Sequence, residues 1–163
     1  MWGWRIAGLF LLKPDDCRDL LSEFDLEMAN TRKILECVPD DRFSWAPHQK
    51  SSRLGELANH LAAMPCLATA VIDGSAKRMP DTDSKAGLLE AFDKNLAAAR
   101  KAIAGTSDDH LAAAIPAIGM TRGAVLRSRV MSHMIHHRGQ LSVYLRLLDV
   151  PVPGMYGPSA DEK

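Results

Sequence analysis

A chain of 163 residues, 47% of them apolar, can bury a substantial core in one domain and has no need of a second. Its 20 basic and 20 acidic residues cancel, which excludes a net field that would draw it to nucleic acid or an anionic membrane. Arg122, Arg127 and Arg129 come nearest to a basic face, but they share their segment with an apolar stripe.

The start, Met1-Trp2-Gly3-Trp4-Arg5 and then Ile6 to Leu12, has a short apolar run and little positive charge. Lys13-Pro14-Asp15-Asp16 is no small-residue cleavage site, and the run is far short of the roughly 20 residues of a membrane span. Residues 1–13 are therefore read as a flexible extension before a single domain over 14–163. Cys17, Cys37 and Cys66 are odd in number and form no CxxC pair, which fits small buried hydrophobes in a reducing cytoplasm better than a disulfide framework.

Leu20, Leu21, Phe24, Met28, Thr31, Ile34, Leu35 and Val38 recur at helical spacing between Pro14-Asp15-Asp16 and Pro39-Asp40-Asp41, and predict a first long helix. Phe43 to Ser51 is too irregular for a helix. In it Trp45 is expected over a core edge, and His48, beside a proline, reads as a loop histidine or alternatively as part of a site wall.

A second helix begins at Ser51 or Ser52 as N-cap, with Glu56 placed to close the first turn. Leu54, Leu57, Leu61 and Met64 form its stripe with His60 at the border, and Pro65 must kink or end it. After the loop to Asp83, a third helix runs from about Ser84 to Ile103 and closes at Gly105. Thr106 to Asp109 can cap a short turn through Leu111, and Ile115 to Gly119 reads as a brief extended segment interrupted by Pro116.

From Arg122 to Leu148 there is no proline, which predicts one long final helix. Its stripe, Leu126, Val130, His133, His137, Leu141, Tyr144 and Leu148, is apolar apart from the two histidines. Four residues apart, their Cβ atoms lie about 6 Å from each other, so both rings can reach one ion of zinc type with bonds of about 2.0–2.1 Å. The stripe points them into the core, where an imidazole must satisfy both nitrogens or lose about 1–3 kcal/mol per orphaned group. A metal would do so; hydrogen-bonded core histidines are the alternative. A third histidine on another inward-facing helix, as His60 could be, is what a catalytic site needs. Arg138 is expected at the surface or an interface, or alternatively as an anion clamp. Gln140 is expected at a seam or behind a ligand. The Pro- and Gly-rich end, Val150 to Lys163, excludes regular structure, and Met155 and Tyr156 could anchor it back on the helices. The whole reads as all-α, an antiparallel four-helix bundle with an irregular tail.

Leu54-Gly55-Glu56-Leu57-Ala58-Asn59-His60-Leu61, then His133-Met134-Ile135-His136-His137-Arg138-Gly139-Gln140-Leu141, and the ending from Val150-Pro151 to Asp161-Glu162 resemble the DinB/YfiT-like four-helix metal proteins. This is the damage-inducible bundle family, not the DNA polymerase that shares the label, and the resemblance spans roughly Asp16 to Glu162. It implies that His60, His133 and His137 bind one divalent metal, zinc or nickel, with water completing the shell, and that the protein is a homodimer. It also implies a metal-dependent S-transferase in which the metal activates a low-molecular-weight thiol against an electrophile. A metal-dependent hydrolase and a non-catalytic, stress-related metal-binding dimer are the alternatives. One departure is that the stretch between His110 and Thr121 looks shorter than in relatives with an aromatic, glycine-rich hairpin there. Hydrolysis wants a general base near the water, and Glu56, Asp161 and Glu162 are the weak candidates.

Overall fold

The computed structural model describes residues 16–75 and 80–162; the expected extension over 1–13 lies outside them. Helix α1 (Cys17–Glu36) starts where Asp16 accepts from the Arg18 N–H. It buries Leu20, Phe24, Met28, Ile34 and Leu35 as the spacing predicts, each worth about 1.5–3 kcal/mol of transfer.

Helix α2 (Leu54–Ala63) begins later than expected. Arg53, not Ser51 or Ser52, holds the N-cap position, and Glu56 Oε2 accepts from the Arg53 N–H at 2.9 Å. Its entry is fixed by close approach: the Gly55 N–H donates to Phe43 O at 2.9 Å, and a Cβ on Gly55 would lie 2.6 Å from Phe43 Cδ1. Pro65 then ends α2 and opens α3 (Pro65–Asp73) at its first position, where the missing N–H costs nothing. At this break Asn95 donates to the Ala62 carbonyl at 2.9 Å. Asn59 clamps the 80–84 loop through Thr82, accepting from its N–H at 3.0 Å and donating to its carbonyl at 2.7 Å. The residues just before His60 and the turn after it are thus held from both sides.

Helix α4 (Lys85–Ala104) starts under its Ser84 cap and packs on α1, α2 and α3. A short α5 (Asp108–Ala112) comes next, capped by Ser107. Between there and Thr121, the brief extended segment expected over Ile115 to Gly119 is mostly a turn. The structure has a small antiparallel hairpin there, β1 (Ala114–Ile115) against β2 (Met120–Thr121), turned at Gly119 with φ of 71°.

The final helical run is not uniform α-helix. After α6 (Arg122–Val125), Leu126–Met131 is a π-helical segment, and α7 (Ser132–Leu147) continues from it. Its closures run i→i+5 in place of i→i+4. The deepest line on α7 is Met134, Arg138, Leu141 and Leu145, while His133 and His137 lie at the rim of the core. Helices α1, α2 with α3, α4, and α7 form the expected antiparallel four-helix bundle. Among the described residues no helix is long and apolar enough to cross a membrane.

Candidate metal centre

His60 arrives from the last turn of α2, and His133 and His137 from successive turns of α7, across one of the main helix contacts of the bundle. Their ring centroids are 5.2 Å (His60 to His133), 4.7 Å (His60 to His137) and 4.6 Å (His133 to His137) apart. One ring nitrogen from each lies within 4.8 Å of the others. None of the three is fully buried, which corrects the expectation that the pair points into the interior. They stand at the edge, where a small molecule can reach them.

The donor set fits a divalent ion. His133 Nε2 and His137 Nε2 approach to 2.8 Å, against about 3.4 Å for two nitrogens bound tetrahedrally at 2.1 Å. Burial first, and then the neighbouring His137, hold the His133 pKa below its ordinary value, which favours the neutral ring a metal requires. His137 Nδ1 lies 3.1 Å from Gln140 Oε1. A carbonyl oxygen only accepts, so Nδ1 carries the hydrogen and the Nε2 lone pair is left facing the cluster. Gln140 in turn donates to the Tyr144 hydroxyl at 3.1 Å, and Trp45 packs edge-on against Tyr144 with centroids 5.8 Å apart. Trp45 thus covers the core edge as expected. Gln140 stands behind His137.

The other candidates lie elsewhere. Glu56 is held by its own helix start. His48 is an exposed loop residue whose Nδ1 accepts from the Lys50 N–H at 3.1 Å. His136 is exposed with its ring 4.9 Å from that of His137. Arg138 corrects the expected surface or interface position: it is 2% exposed and turned away from solvent onto α1. There its Nη2 donates to Glu27 Oε2 at 2.6 Å, and its Nη1 donates to Glu27 O at 2.9 Å and Thr31 Oγ1 at 3.2 Å. Tyr156 reaches the same place from the tail, its hydroxyl donating to Glu27 Oε2 at 2.6 Å and meeting Arg138 Nη2.

Cys66 is buried, while Cys17 and Cys37 are partly buried and unbridged. Burial first, and then Asp108, pushes the Cys17 thiol up to about 11, which suits a packing residue and not a nucleophile. A cleft of about 150 Å³ adjoins His60, lined also by Ala63, Met64, Cys66 and Leu67.

The model of the DinB family matches residues 13–163. The chain belongs to the DinB family. It is 28% identical over 149 residues to the uncharacterized protein YrdA of Bacillus subtilis (strain 168), covering 87% of this chain and 89% of that one. Its fold is similar to that of a DinB-like protein from Bacillus cereus ATCC 10987, with a TM-score of 0.74 at 24% identity over 88% of this chain and 100% of that one. It is also similar to the DinB-like protein YjoA of Bacillus subtilis, with a TM-score of 0.68 at 22% identity over 89% and 98%. At these identities the two structures bear on the fold alone.

Proposed function

We propose that this DinB-family chain is a metal-dependent S-transferase whose His60, His133 and His137 hold one divalent ion, zinc or nickel. The observation that carries the metal reading is the convergence of three imidazole nitrogens from two helices within 4.8 Å. Three protein ligands leave a coordination position open, as catalytic sites do and closed structural sites do not. The ion, when bound, supplies Lewis acidity that brings a thiol or water in that position towards deprotonation at neutral pH.

The protein's own groups then do three things. Gln140 keeps His137 in the tautomer that presents Nε2. The rim position admits a small thiol. The cleft beside His60, with its Ala63, Met64 and Leu67 walls, receives the apolar part of an electrophile. In the transfer the sulfur forms a bond to the electrophilic carbon, the leaving group departs with its electron pair, and the thiol proton goes to solvent.

Hydrolysis is disfavoured by the employment of each candidate base. Glu56 caps α2, Asp161 binds Arg146 and the Val152 N–H, and Glu162 binds the Gly154 and Ser159 N–H groups. The reading extends to a cytoplasmic homodimer in which a second copy covers the exposed Val143 and Leu147 of α7.

Zinc- or nickel-loaded protein is to be assayed with an aryl halide and small bacterial thiols, and separately with ester and amide substrates and no thiol. Thiol-dependent conjugation lost in His60→Ala supports the transferase. Turnover of esters or amides without thiol would replace it with the hydrolase.

A further inference from the structure

A charge pair deep inside a small bundle needs a reason, because removing two ions from water is costly and apolar residues of the same size would serve stability as well. Glu27 and Arg138 are 6% and 2% exposed. We propose that this pair positions the metal centre by fixing the rotation of α7, an inference that rests on the three-histidine reading above.

Two observations combine. The first is the π-helical segment Leu126–Met131 immediately before α7, the helix that carries His133. Because it can give up its extra residue per turn, the backbone alone does not fix the rotational phase of α7. A twist of about 10–20° swings a ligand atom about 6 Å from the axis through roughly 1–2 Å, more than a metal site tolerates.

The second is the direction of the Arg138 bonds. Apolar attraction has no preferred direction of its own, whereas the guanidinium is a planar fork. It donates to Glu27 Oε2, Glu27 O and Thr31 Oγ1, all on α1, at 2.6, 2.9 and 3.2 Å. Arg138 directly succeeds His137 in the chain, so the angle that satisfies these bonds also sets the angle of His137 and, one turn back, of His133. Glu27 and Arg138 are positioning residues; neither is part of the histidine cluster.

The test is cobalt titration of the metal-free full-length protein, read by its visible d–d absorption and by zinc competition, beside thermal unfolding. The proteins compared are the wild type, Arg138→Lys, and the double variant Glu27→Met with Arg138→Leu. The double variant removes both charges together, so neither is stranded. Arg138→Lys keeps the charge and loses the fork.

The expected result is that each variant that folds binds cobalt about 10–100-fold more weakly, the range found when groups supporting metal ligands are removed, with an altered d–d spectrum. Wild-type affinity and spectrum in either folded variant would overturn the proposal and leave Glu27 and Arg138 as packing residues. No cobalt binding by the wild type would remove the histidine reading itself, and this inference with it.

Discussion

His137 donates its Nδ1 hydrogen to Gln140 Oε1, 3.1 Å away and one turn further along the same helix. The side chain of Gln140 is itself held by the Tyr144 hydroxyl, so the acceptor is fixed before any ion arrives. Gln140→Leu is expected to weaken zinc binding about 10–100-fold, measured by competition with a chromophoric chelator, with the helical circular dichroism unchanged. Gln140→Glu keeps an acceptor and should bind at least as tightly as wild type. Equal affinities in all three proteins would mean that the contact does not set the ligand.

The metal is expected at about one ion per chain in untagged protein, and to be absent from His60→Ala and His137→Ala on elemental analysis. Since the cluster sits at the rim of a core built from Leu, Ile, Phe and Met, chelation should leave the bundle folded. Zinc at about 100-fold its Kd should then raise stability by about 2.7 kcal/mol, a Tm increase of roughly 5–10 °C for a chain of this length. Collapse of helicity on chelation would assign the ion a structural role.

Much of this is legible in the sequence because helical periodicity and caps are local. Asp16, Ser84, Ser107 and Pro65 act where their chemistry says they must, and the four-residue spacing of His133 and His137 survives in the structure. Glu27 escapes a reading by caps and motifs, although a signal is present. It lies seven residues after Leu20 and three after Phe24, on the buried stripe, while Arg138 lies four after Met134 and three before Leu141. Two opposite charges at core positions of two helices are each other's explanation. The π-helical segment leaves no such signal in the composition of Leu126 to Met131. The rim position of the histidines is itself within reach of an ideal helix, since Met134, Arg138 and Leu141 continue the spacing of Leu126 and Val130 and leave His133 and His137 one residue off that line.

Tyr156→Phe is expected to loosen the tail while the bundle stays folded. The hydroxyl donates to the buried Glu27 carboxylate and accepts from the Arg138 guanidinium, on a side chain that is otherwise largely exposed. Its loss should cost about 1–2 kcal/mol, a Tm decrease of a few degrees, and speed amide exchange between 152 and 157. A variant with wild-type exchange there would show that the contact does not hold the tail.

The tail should also respond to acid, with a sign set by its carboxylates. Arg146 first, and then the Val152 N–H, hold the Asp161 carboxyl down to about 2, and the Gly154 and Ser159 N–H groups hold Glu162 below its usual range. Both folded-state values lie under the unfolded ones, about 3.9 for Asp and 4.3 for Glu. Their contribution is therefore fully present above about pH 5 and is lost as pH falls through the folded-state values towards about 2. Amide exchange at Val152 and Gly154, expressed relative to intrinsic rates, should lose protection between about pH 5 and pH 2.5, while Leu141 in the core stays protected and reports that the bundle persists. In Asp161→Asn the protection of Val152 should already be reduced at about pH 5, because a neutral amide does not hold the Arg146 guanidinium as the carboxylate does. If Val152 protection is instead the same at both pH values and in both proteins, the tail is docked by its apolar contacts at Val152 and Met155, and the carboxylates are incidental to it.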